Sequence, residues 1–206
     1  MIYRFVKLGL LVALIEFTIG ALLTPYEYVE RIILEEEKAI YYWYGDDVVS
    51  HNISETNQQF RRTFIASGVV DSSYIYFEQK EPSSFADELT NKIYYWVTFR
   101  LDVFWRYSQN IVRRMVLLLH WLPFYVIVVG TFVVDGLARR SLKRASYGHT
   151  STNSFNVATR TLLLLLIFPL AYVFFPAYLT PIFPTLWVMV VSIVTGFLLA
   201  NIQKYI

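Results

Sequence analysis

From Met115 to Val134 the chain is apolar for about twenty residues. It then runs into Asp135, Gly136 and the basic residues Arg139, Arg140, Lys143 and Arg144. A run of that length crosses the hydrocarbon core of a bilayer as one helix. The basic block at its end is the kind of signal that keeps a loop on the cytoplasmic side. This stretch excludes an ordinary soluble fold, and the rest of the chain can be placed relative to it. The composition agrees, with 56% hydrophobic and 18% aromatic residues over 206 positions, because the apolar excess is gathered into long runs rather than spread out.

Three further runs have spanning character. Phe5–Leu23 carries Arg4 and Lys7 at its start. Glu16 within it, and the lack of an Ala-x-Ala site near Gly20 and Ala21, favour an uncleaved anchor over a cleaved signal peptide. Leu162–Tyr178 is expected to bend at Pro169, and Leu186–Ala200 is a shorter span. Pro123 predicts a kink in the Met115–Val134 helix. Gly9 with Ala13, and Ser192 with Gly196 and Ala200, set small residues four apart, a spacing that lets helices approach closely; a homo-oligomer stays open as a partner state. Trp187 and Tyr178 stand where interfacial aromatics belong.

The region between the first two spans is polar and rich in aromatics. Periodicity predicts a helix over Tyr26–Tyr44 on Val29, Ile33, Ile40 and Tyr44, interrupted by Glu35-Glu36-Glu37. Gly45-Asp46-Asp47 reads as a turn in which either aspartate could cap the next helix. Val48–Ala66 has a weaker helical pattern on Ile53, Phe60 and Phe64. Val69–Phe77, β-branched and aromatic, predicts a short strand. Pro82-Ser83-Ser84 signals a helix start, followed by a stripe of Phe85, Leu89, Ile93, Trp96, Phe99 and Val103 at helical spacing. Such a stripe is most often core, and it also suits a partner surface or the outer leaflet.

These readings combine into an all-α membrane protein: an anchor at 1–24, a mainly helical outward domain at 25–114, and a three-helix membrane region at 115–206 with a basic cytoplasmic loop at 135–161. Residues 24–114 hold ten Lys/Arg against fourteen Asp/Glu, and the remainder holds eight against two. With both termini cytoplasmic, the short-loop positive charges stay inside. Arg113 and Arg114 run against that arrangement, at the outer end of the second span, where lipid phosphates could meet them.

No constellation points to catalysis. His51, His120 and His149 lack metal-ligand spacing, there is no cysteine, and neither a phosphate-binding glycine loop nor a nucleophile motif occurs. The expectation is a non-enzyme without metal or cofactor. Glu16 and His120 are two intramembrane polar groups whose depths match if their helices run antiparallel; a structural pair is the simpler reading, and a small transporter or ion-coupled protein is the alternative. Asp135 stands four residues before Arg139 in the favourable order for a surface pair. With Gly136, Arg139, Arg140, Lys143 and Arg144 it marks a basic cytoplasmic face that meets anionic headgroups or docks a partner. Without interleaved aromatics, these charges argue against direct nucleic-acid binding.

Trp121-Leu122-Pro123, then Val134-Asp135-Gly136-Leu137 with Arg139 and Arg140, then a loop containing glycine, histidine and serine, resemble the membrane proteins of integrating conjugative elements. The resemblance covers mainly residues 115–160. It implies a multi-pass bacterial inner-membrane protein with a part in conjugative DNA transfer or type IV secretion. The family has no assigned molecular activity; the scaffold or assembly role, with membrane lipids and other envelope or conjugation-complex proteins as partners, is expected instead from the large aromatic outward domain, the basic face, the small-residue stripes and the missing catalytic set.

Overall fold

The computed structural model describes residues 2–75, 85–146 and 152–202. Among them every regular element is helical. In order these are α1 (Ile2–Leu22), α2 (Tyr26–Tyr44), α3 (Asp46–Phe60), a π-helical turn (Arg61–Ile65), α4 (Val69–Ile75), α5 (Phe85–His120), α6 (Leu122–Ala145), α7 (Thr152–Leu165), α8 (Phe168–Phe174) and α9 (Phe183–Ala200). Four stretches among the described residues are long and apolar enough to cross a membrane: Tyr3–Leu22, Leu122–Ala145, Thr152–Phe174 and Phe183–Ala200.

Several local expectations are corrected. The strand expected at Val69–Phe77 is helix α4 as far as Ile75, and its last two residues lie outside the described ones. Gly68, at φ 72°, ends the preceding turn, and its carbonyl accepts the first helical bond from Ser72 N–H at 2.9 Å. With no second strand among the described residues, an extended segment would leave its backbone groups unpaired. Neither Asp46 nor Asp47 caps α3. Gly45 holds that position at φ 87°, a conformation glycine adopts without strain, and the two aspartates occupy the first turn, where the helix dipole favours them.

Pro123 does not kink a span. The chain turns at Trp121, and Pro123 sits in the first turn of α6, where its missing N–H breaks no bond. The apolar stretch from Met115 therefore divides, with Met115–His120 finishing α5 and the spanning helix beginning at Leu122. On α3 the buried residues are Asn52 and Thr56 rather than the expected Ile53, which is 37% exposed. The helix start expected at Pro82–Ser84 lies outside the described residues.

The contacts divide the chain into two compact units. One comprises Met1–Val12, Leu118–Tyr172 and Ile182–Ile206, and the other Ala13–Leu117 and Val173–Pro181.

In the first unit α6 and α9 cross at glycine. A methyl group added at Gly136 would stand 2.6 Å from the Gly196 carbonyl oxygen. The stripe Ser192, Gly196 and Ala200 is buried, as small residues at a close helix crossing should be. The α7–α8 break follows from Pro169. It has no N–H to give to the carbonyl of Leu165, four residues earlier, so that carbonyl is orphaned. Trp187 Nε1–H of α9 donates to it at 2.8 Å. Trp187, expected as an interfacial aromatic, thus repairs a broken helix.

In the second unit Val29, Ile32, Ile33 and Ile40 of α2 are buried, as are Val103, Tyr107 and Ile111 of α5. Phe17 sets its ring against Phe104 at 5.5 Å and Phe174 at 6.2 Å. Trp105 gathers Phe60 and Phe64 around it and donates from Nε1 to Ser73 Oγ at 3.0 Å.

Candidate functional site

Along α2, Val29, Ile33 and Ile40 recur at helical spacing, and Glu36 falls on the same buried face. A lone carboxylate in that position would be costly to desolvate. Two consecutive residues of α5 meet it. Arg113 donates from Nη2 to Glu36 Oε2 at 2.7 Å. Arg114 donates from Nη2 and Nε to the same carboxylate. Glu36 is 3% exposed, Arg113 4% and Arg114 2%, so the charges are matched inside the unit rather than offered to lipid phosphates. The expectation of exposed arginines at the membrane surface is therefore corrected.

Other guanidinium protons go to backbone, amide and carboxylate oxygens. Arg113 Nη1 donates to the Ile33 carbonyl at 2.8 Å and to Glu37 Oε1 at 3.1 Å, and Nη2 donates to Asn110 Oδ1 at 2.8 Å. Arg114 Nη1 donates to the Phe175 carbonyl at 2.6 Å, and Nη2 to that of Ala177 at 2.7 Å. Leu179 N–H donates back to Glu36 Oε1 at 3.3 Å. The Tyr107 hydroxyl donates to the Phe174 carbonyl and that of Tyr44 to the Pro181 carbonyl. Burial pushes the Tyr107 phenol well above its usual range, which keeps it a donor. The cluster thus fastens the segment between α8 and α9 onto α2 and α5. It is a latch: its ions are paired and most of its donors are committed to the chain's own oxygens, with the buried Arg113 Nε left without a partner among the described residues.

Beside the latch, Arg106 makes a forked pair with Glu30, with Nε on Oε1 and Nη2 on Oε2 at 3.0 Å. These hydrogen bonds hold the Glu30 carboxyl below the usual carboxylate range. Arg106 is raised by the same bonds. Tyr74 donates to Asp102 Oδ1 at 2.6 Å. A small cleft lined by Glu37, Thr56, Asn57, Gln109 and Arg113 opens next to these groups.

The basic face is built by the end of α6. Asp135 and Arg139 pair at 2.9 Å, both well exposed. Lys143 Nζ donates to Asn201 Oδ1 at 3.0 Å just beyond α9, while Arg144 points into solvent and Arg140 is half-buried. Gly136 is buried against α9 instead of joining that face.

Glu16 belongs to the α2–α5 unit and His120 to the α6–α9 unit. Glu16 Oε2 is buried with no hydrogen-bond partner among the described residues. On α5, Ile93, Trp96 and Phe99 are exposed and Val103 is fully buried; the side chains of Phe85 and Leu89 lie outside the described ones. Among the described residues no group of three His, Cys, Asp or Glu could hold a metal ion.

The sequence reading places Glu36 in an interrupting acidic run and Arg113 and Arg114 at the membrane surface, and does not bring the three together. One signal could have found them: Glu36 stands three residues after Ile33 and four before Ile40, on the stripe itself. Its neighbours Glu35 and Glu37 disguised it as part of a solvated run.

Residues 30–205 match the family described as IncC plasmid conjugative DNA transfer protein DtrJ-like. The chain belongs to that family. The DtrJ-like match takes in nearly all of α2, the whole latch and the basic end of α6, and leaves Glu16 outside it. It fits the resemblance to conjugative-element membrane proteins and extends far beyond residues 115–160. No curated protein and no solved structure matches the chain.

Proposed function

We propose that this protein is a non-enzymatic scaffold or assembly component of the bacterial inner membrane, working in conjugative DNA transfer alongside a type IV secretion apparatus. Membership of the DtrJ-like conjugative transfer family is the observation that carries this reading. Both termini are cytoplasmic. Residues 1–24 anchor the chain, 25–114 form a periplasmic domain, and 115–206 form the three-helix membrane region. The latch supports this topology. With four crossings, residues 25–114 and the α8–α9 connection must emerge on the same side, and they pack together through Arg114 and Glu36. The basic face of Arg139, Arg140, Lys143 and Arg144 docks a cytoplasmic partner of the transfer complex, and exposed Trp96 and Phe99 offer a periplasmic one.

The test is deletion of the gene from the donor element, with conjugation frequency measured beside recovery of envelope complexes on a tagged copy. Transfer should fall, and conjugation proteins should co-purify. Normal transfer with no co-purifying envelope protein would defeat the proposal. The cysteine-free chain also allows topology to be read directly. Single cysteines at Asn57 or Ser72 should be labelled from outside the cell and one at Ser146 should not; the reverse pattern would invert the topology.

A further inference from the structure

We propose that α2 lies flat in the headgroup layer of the membrane leaflet from which α1 emerges, as an interfacial helix. This rests on the four-span reading of the chain, but on neither its sidedness nor a role in conjugation.

Both ends of α2 are tethered where the chain leaves the membrane. Its first residue, Tyr26, follows the end of the first span at Leu22 by four positions, and Arg100 Nη1 grips the carbonyl of Thr24 between them at 3.0 Å. Its last residue, Tyr44, donates to the Pro181 carbonyl at 3.0 Å, and Pro181 is two positions before the start of α9 at Phe183. Between the ends, Glu36 and its arginines hold Phe175, Ala177 and Leu179, which follow directly on the end of the third span at Phe174. A helix of nineteen residues is about 28 Å long. With its ends and its middle bound to three exit points, it cannot stand upright from the bilayer.

The free flank carries the side chains such a position needs. Glu30 and Glu37 turn towards α5, where Arg106 and Arg113 take them. Away from them, Tyr28, Arg31, Glu35, Lys38 and Tyr42 follow one another at alternating steps of three and four, and all are exposed. Tyr42 is 79% exposed, and it meets the 49% exposed ring of Trp43 edge-on at 5.3 Å. Tyrosine and tryptophan settle at the headgroup level because one end of each ring is apolar and the other wet. Arginine and lysine lay their stems along the apolar boundary and lift their charges to the phosphates. On a water-facing flank, the 79% exposed Tyr42 ring would have no such compensation; Trp43, on the phase of Glu36, meets it from the end of the helix. Phe175 and Tyr178 of the α8–α9 connection, both about two-fifths exposed, add to the belt.

The test uses the full chain in nanodiscs of phosphatidylethanolamine and phosphatidylglycerol. Spin labels are placed on single cysteines at 28, 42 and 43, with one at 57 on α3 as the reference for water. Collision rates with oxygen, which partitions into lipid, are compared with those for a neutral nickel chelate, which stays in water. The oxygen-to-nickel ratio at 42 and 43 should exceed that at 57 several-fold, with 28 following them. All of these sites are exposed, and the label at 57 removes only the exposed bond from Gln109 Nε2 to Asn57 Oδ1. Ratios at 28, 42 and 43 equal to that at 57 would overturn the proposal and leave the flank to a protein partner.

Discussion

Arg114 reaches both oxygens of the Glu36 carboxylate and, with its remaining protons, two carbonyls of the connection between α8 and α9. The two residues stand 78 positions apart, and neither is more than 3% exposed. A buried pair of this kind adds little net stability against an apolar replacement of both partners. Removing only one strands the other in the interior. The latch is therefore a point where single substitutions are expensive.

Glu36→Gln should lower stability by about 3–5 kcal/mol, since it takes the Glu36 carboxylate from buried Arg114 and leaves buried Arg113 with the partly exposed Glu37. Thermal unfolding followed by circular dichroism in detergent measures it. Glu35→Gln, one position away on the exposed flank of α2, should change stability by less than about 0.5 kcal/mol. Equal effects of the two substitutions would mean that the latch carries no special weight.

Gly20→Ala should be disproportionately harmful for a single methyl group. The added carbon would stand 2.2 Å from the Tyr107 ring. That ring cannot swing aside, because it is buried and its hydroxyl is bonded to Phe174. An overpacking cost of about 1–3 kcal/mol is expected. Gly130→Ala, where the new methyl meets open space, is the control and should be neutral or slightly stabilising.

Trp187→Phe removes the donor that serves the orphaned Leu165 carbonyl and should cost about 1–3 kcal/mol. Restoring an N–H at position 169 should then compensate. Pro169→Ala should recover part of the loss in the Trp187→Phe background while being less favourable alone. A double-mutant cycle on unfolding free energies reads this coupling. Strict additivity would show that the Trp187 bond does not replace the one proline forfeits.

Glu30 gives a pH signature. Its folded carboxyl is held below the usual range by Arg106, so its contribution is present above the unfolded value, about 4.3, and fades as pH falls through the depressed folded value. Wild type should exceed Glu30→Gln in stability by about 1 kcal/mol at neutral pH, since the pair is partly exposed and screened. The two melting curves should converge on acidification below the usual carboxylate range. A gap that stays constant from pH 7 to pH 3 would contradict the assignment.

What the sequence determined by itself was whatever depends on neighbours along the chain. Hydrocarbon thickness sets the length of a span, so four helices long and apolar enough to cross a membrane could be read from apolar runs alone. Periodicity set α2 at Tyr26–Tyr44, and the order Asp135 before Arg139 announced their pair. The strand expected at Val69 failed because β-propensity decides nothing without a second strand to bond. The tertiary structure decided everything that needs a distant partner. Glu36 looks like a solvated acid until Arg113 and Arg114 arrive from α5, and only folding joins positions 77 and 78 residues apart. Trp187 looks like an interface anchor until Pro169 leaves it a carbonyl. In both cases the physical reason is the same. A buried charge or an orphaned backbone group must be satisfied, local sequence shows only the need, and the fold chooses the donor.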